Sequence, residues 1–169
     1  MPKASQGTSR LFRAHSVLTK DGGQADTLLR ALIDTELAPY DRAGNITVAG
    51  VDVMLSPKAS LALAMAIHEL CSNAAKFGAL SKESGRLSVT WTVTEGPADQ
   101  TLHLIWVETG GQPVTAPKRR RFGTTLIERG LAHEFDATVK TEFLATGVRC
   151  AISIPLTEFV GRPRPTPEH

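Results

Sequence analysis

SPKASLALAMAIHELCSNAAKFGAL, from Ser56 to Leu80, is the stretch that decides the fold. Ser56 offers an N-cap and Pro57 a first-turn proline whose φ already suits a helix. Leu63, Ile67, Leu70, Ala74 and Phe77 fall within one narrow face at about 100° per residue. The spacing therefore predicts a helix from Pro57 to about Ala79 with that stripe lying on a sheet. Glu69, Asn73 and Lys76 recur at i, i+4 and i+7, so they stack in a row well away from the stripe. An acceptor, an amide and an ammonium in one row suit Mg²⁺ and phosphate, through the Asn73 carbonyl oxygen and the Lys76 charge. Spacing alone favours the plainer alternative, a solvated face with spaced charges. His68-Glu69 also opens like a zinc-protease HExxH, but Ser72 stands where the second histidine is required, and that reading fails.

Outward from this helix the pattern alternates strands with helices. Upstream, Leu28, Leu29, Leu32, Ile33 and Leu37 recur at helical spacing and Pro39 ends that helix. Ile46 to Val48 and Val51 to Leu55 read as short strands around Gly50. Downstream, Leu87, Val89, Trp91 and Val93 alternate with polar residues, and a second strand runs from Thr101 to Glu108. Thr109 to Phe122 has no periodicity and is long enough to be a functional loop. Thr124 to Phe135 is a helix with Leu126, Ile127 and Leu131 on its apolar side, and Val139 to Phe143 with Val148 to Ile154 closes the chain as a hairpin. Paired strands separated by helices predict an α+β, two-layer α/β sandwich: a mixed, mostly antiparallel sheet with helices on one face.

Two further clusters could carry chemistry. Trp106-Val107-Glu108-Thr109-Gly110-Gly111 runs a strand into a glycine pair, with Trp106 and Glu108 on one face. A carboxylate at the end of a buried strand, followed by glycines that allow close backbone approach, suits a nucleotide base; by itself the glycine pair is equally a plain turn. Gly123, Thr124 and Thr125 open the last helix, where free N–H groups and the helix dipole form an anion site, unless Thr124 is only a cap.

The order and spacing of these clusters resemble the catalytic domain of the HWE subfamily of sensor histidine kinases, within the GHKL nucleotide-binding superfamily. HELCSNAAKFGALS (His68 to Ser81) is similar to its N box, and Trp106-Val107-Glu108 to the Trp-x-Glu that helps name the subfamily. LAPY (Leu37 to Tyr40), GGQPV (Gly110 to Val114), FGTTLIER (Phe122 to Arg129) and GVRCAISIPL (Gly147 to Leu156) extend the resemblance from about Leu11 to Leu156. It implies ATP and Mg²⁺ as cofactors, with Glu69 positioning groups at the phosphate end, Asn73 as Mg²⁺ ligand and Lys76 on phosphate. It implies that Glu108 binds the adenine amino group, and that Gly110, Gly111, Gly123, Thr124 and Thr125 shape the lid and phosphate pocket. His68 is read as structural, beside Trp106.

The implied activity is protein-histidine kinase, moving the γ-phosphate to a histidine on a dimerisation helix, with a response regulator receiver domain as the further partner. The alternative is a degenerate module that no longer binds ATP and only docks a partner. Gln112 and Arg121, standing where the superfamily has lid glycines, keep that alternative open. No acceptor histidine with an Arg-x-Lys-Asn-like pattern occurs, and Arg13-Ala14-His15-Ser16 looks like the end of a dimerisation domain's second helix. The expected division is a flexible lead and helix remnant at 1–22, the ATP-binding domain at 23–157 and a disordered, proline-rich tail at 158–169.

Composition agrees with one globular domain: 169 residues, 41% of them hydrophobic, suffice for a single core. The 19 basic and 17 acidic residues nearly balance, so no charge-driven partner is implied. Lys118-Arg119-Arg120-Arg121 lacks interleaved aromatics, and nucleic-acid binding is not expected from it. No signal peptide or membrane-length apolar run occurs, so no membrane partner is implied and a cytoplasmic location is the expectation. Cys71 and Cys150 suit neither a disulfide framework nor a metal site.

Overall fold

The computed structural model describes residues 26–42, 44–97, 99–111, 122–157 and 161–163. In chain order the elements are β1 (Thr27–Leu28), α1 (Leu29–Leu37), β2 (Ile46–Gly50), β3 (Val53–Leu55), α2 (Pro57–Phe77), β4 (Arg86–Thr94), β5 (Gln100–Thr109), α3 (Phe122–Phe135), β6 (Thr138–Leu144), β7 (Gly147–Leu156) and β8 (Gly161–Pro163). A five-stranded sheet runs β2-β4-β5-β7-β6. Among the described strands only β2 and β4 pair in parallel. That pairing needs a long crossover, and α2 supplies it. The two-layer sandwich predicted from the pattern is the architecture found.

Side chains alternate along the strands as the pleat requires. Leu87, Val89 and Trp91 of β4, Leu102, Leu104 and Trp106 of β5, and Cys150, Ile152 and Ile154 of β7 are all buried. The helices cover that face with Leu29, Ile33 and Leu37 of α1, Leu63, Ile67, Cys71 and Ala74 of α2, and Leu131 and Phe135 of α3. The Ser56 side chain accepts from the Ala59 N–H (3.3 Å) at the start of α2, and the Gly78 N–H donates to the Ala74 carbonyl (3.0 Å) at its end.

Three expectations need correction. Phe77, assigned to the buried stripe, is 49% exposed, while Ala59, Ala64 and Ala66 are buried. The reason is that α2 packs against α1 and α3 while sharing one core with the sheet, so it buries a wide arc of small residues. Second, Val51 is exposed and outside any strand. Gly50 passes so close to the Trp91 ring that a Cβ would overlap it, and the Trp91 indole N–H donates to the Val51 carbonyl (2.7 Å). Third, β3 belongs to a separate antiparallel sheet, β1-β3-β8. Its strand β8 pairs Gly161 with Leu55 and Pro163 with Val53, inside the segment expected as disordered tail. Residues 1–25 and the basic run at 118–121 lie outside the described residues.

Candidate functional site

The last inward position of β5 carries Glu108, in line with Leu102, Leu104 and Trp106. A carboxylate in that position must be hydrogen-bonded or neutral. Its Oε1 accepts from the Trp106 indole N–H (2.8 Å) and its Oε2 from the Ala79 backbone N–H (3.1 Å). Burial raises its pKa above the ordinary glutamate value, and the bonds from Trp106 and Ala79 pull it back down. Glu108 is 4% exposed.

Glycines make this contact possible. At Gly78 a Cβ would overlap the Glu108 Oε2, and at Gly111 it would come within 2.8 Å of the Gly78 and Ala79 backbone. Gly110 has φ +70, the left-handed region that favours glycine, and its carbonyl accepts from the Ser84 hydroxyl (2.8 Å). The end of β5, with its glycine pair, is thereby clasped to the end of α2.

That end of α2 carries the second cluster. Glu69 and Asn73 are half-buried and Lys76 is exposed in the last turn. Helix C-termini expose carbonyl groups and carry partial negative charge, so a phosphate there needs a cation, and Lys76 is one. Among the described residues no group of three or more His, Cys, Asp and Glu side chains converges as a metal site.

Gly123, Thr124 and Thr125 lie in the first turn of α3. Lys58, near the start of α2, reaches Glu134, near the end of α3 (3.9 Å). The start of α2 therefore lies beside the end of α3. Gln112 and Arg121, the departures in the lid, lie outside the described residues.

Two features escape the sequence reading. His68 places its Nδ1 3.3 Å from Glu36 Oε2 on α1, so its partner is a carboxylate on another helix. Ala79, whose N–H holds Glu108, stands 29 residues away from it, and no local signal announces such a bond. Cys71 and Cys150 are buried free thiols, and burial pushes both pKa values up. Among the described residues no helix is long and apolar enough to cross a membrane.

No family model matches the chain. Over 158 residues, 92% of its length, it is 34% identical to the blue-light-activated histidine kinase of Brucella ovis and covers 32% of that protein. Its identity to the corresponding Brucella anthropi kinase is 31% over the same span. Among solved structures, the histidine kinase domain of an Erythrobacter litoralis blue-light-activated kinase superposes with a TM-score of 0.64 at 19% identity, over 91% of this chain and 76% of that one. The catalytic domain of the histidine kinase ThkA gives 0.52 at 16% identity, over 77% and 94%. The chain spans about a third of the curated relatives it matches. Over this span the chain is thus similar to a part of the blue-light-activated histidine kinases, and it shares the fold of solved histidine-kinase domains.

Proposed function

We propose that this domain binds Mg²⁺-ATP and transfers the γ-phosphoryl group to a histidine nitrogen on a dimerisation helix, from which a response regulator receiver domain takes it on. The observation that carries this reading is the bond from Ala79 to Glu108, which brings the strand end bearing Glu108 to the end of the helix bearing Asn73 and Lys76. The blue-light-activated kinases, named for the same chemistry, support it.

Mg²⁺-ATP, when bound, supplies the electrophilic phosphorus; the N–P bond forms as the γ-phosphorus–oxygen bond breaks and ADP leaves. The chain's own part is positioning and charge neutralisation. Asn73 offers a hard oxygen to Mg²⁺, Lys76 offsets phosphate charge, and Glu69 orients groups at the phosphate end. Glu108 accepts a hydrogen bond from the adenine amino group while Gly110 and Gly111 let the backbone approach. Backbone N–H groups at Gly123, Thr124 and Thr125 hold phosphate oxygens.

Phosphotransfer in trans tests this. With γ-labelled ATP and a separately purified dimerisation domain of a related kinase, acid-labile label should accumulate on the added domain and none on this chain. Label on neither partner, under conditions where the donor kinase labels its own domain, contradicts the proposal. Label on this chain that disappears in His15→Ala would place the acceptor within it instead.

A further inference from the structure

We propose that Trp106 is the positioning residue of the base-reading carboxylate: its indole N–H, 2.8 Å from Glu108 Oε1, keeps that group an oriented, ionised acceptor and so sets the choice of ATP over GTP. This rests on the reading that Glu108 meets the base.

The sheet register shows why the two side chains depend on each other. Trp106 lies opposite Val89 on one side and Cys150 on the other, and Glu108 lies opposite Leu87. Those neighbours are apolar apart from a thiol. A buried indole N–H needs an acceptor, and Glu108 is the one it has. A phenylalanine at 106 would keep an aromatic ring in the core, leave part of the indole's space empty and donate nothing.

Ionisation turns this geometry into selectivity. A carboxylate only accepts hydrogen bonds, whereas a carboxylic acid also donates one. The ionised form suits the adenine amino group; the protonated form can donate to the guanine carbonyl. Burial favours the protonated form, and the N–H groups of Trp106 and Ala79 oppose it. Among the described residues, the thiols whose titration Glu108 itself helps to raise are those of Cys71 on α2 and Cys150 on β7. Burial keeps both thiols neutral, so neither offers a positive charge. Removal of the indole N–H therefore moves Glu108 toward its protonated form and relaxes the base preference.

The chain contains two tryptophans, which gives the experiment an internal reference. The Trp91 indole N–H donates to a backbone carbonyl, which does not titrate. In ¹H–¹⁵N spectra of the nucleotide-free domain, the Trp106 indole proton should shift with pH and the Trp91 proton should stay still. Glu108→Gln should abolish the shift. In competition binding, Trp106→Phe should bring an ATP preference of about tenfold close to parity at neutral pH and regain it as pH rises. A merely structural defect would weaken both nucleotides together, with no dependence on pH.

Should Trp106→Phe not fold, the wild type still decides: its ATP preference must decline on acidification with the same midpoint as the indole shift. A pH-independent Trp106 proton, or a Trp106→Phe variant with unchanged preference and pH profile, overturns the proposal while the base-reading role of Glu108 stands. A wild type without preference, whose indole proton nevertheless titrates, overturns that base-reading role and this proposal with it.

Discussion

Gly147→Ala is expected to lower the melting temperature by about 6–12 °C, the shift that about 3 kcal/mol produces in a domain of this size. Gly147 opens β7 at φ +147, where L side chains are strained. A Cβ there would overlap the Glu108 carbonyl oxygen and stand 2.7 Å from its carbonyl carbon. The obstacle is main chain in the middle of a sheet, so it cannot step aside as a flexible side chain would. Displacing it also moves the residue whose carboxylate is clasped to the end of α2, so nucleotide affinity should fall together with stability. Gly130 provides the contrast. It lies within α3 with nothing within 4 Å of an added Cβ, and Gly130→Ala should stabilise by about 0.5–1 kcal/mol. Thermal unfolding of both variants checks this, and a Gly147→Ala shift under about 2 °C would mean that the β5–β7 contact is not as tight as described.

Base choice is the second large effect. Adenine offers Glu108 an amino donor, whereas guanine offers a carbonyl oxygen, a second acceptor. Two acceptors facing each other away from water leave both unpaired, at about 1–3 kcal/mol. ATP should therefore bind at least about tenfold tighter than GTP. Glu108→Gln preserves the shape and lets an amide nitrogen face guanine, so the preference should shrink. That variant carries a second cost. Both protein partners of Glu108 are N–H donors, and glutamine retains one oxygen, so one donor is left opposite an N–H₂ group. Stability should fall by about 1–3 kcal/mol even without nucleotide. Competition binding and thermal unfolding separate the two effects, and a wild type that binds ATP and GTP equally would show that Glu108 does not read the base.

Legibility in the sequence follows the range of the interactions. The α2 helix was readable because Ser56, Pro57 and the Leu63–Ala74 spacing are local signals, and the inward face of β4 and β5 because alternation has a fixed period. Trp106 and Glu108 could be placed on one face for the same reason. Phe77 was misplaced because a helical wheel shows which residues share a face but not how far neighbouring helices cover it. The β1-β3-β8 sheet was missed because two- and three-residue strands show no period, and Gly161-Arg162-Pro163 has the composition of a tail. The bonds of Ala79 to Glu108 and His68 to Glu36 join residues far apart in sequence, so only the folded chain reveals them. The family resemblance gave the clusters a chemical meaning that spacing alone did not supply.

The most direct test of the central claim is a titration of this domain with a fluorescent ATP analogue, with and without Mg²⁺, on the wild type and on Asn73→Ala. Saturable binding that Mg²⁺ strengthens in the wild type and no longer affects in Asn73→Ala is the predicted result. The contradicting result is identical titration of the two proteins, or no binding to the wild type at all.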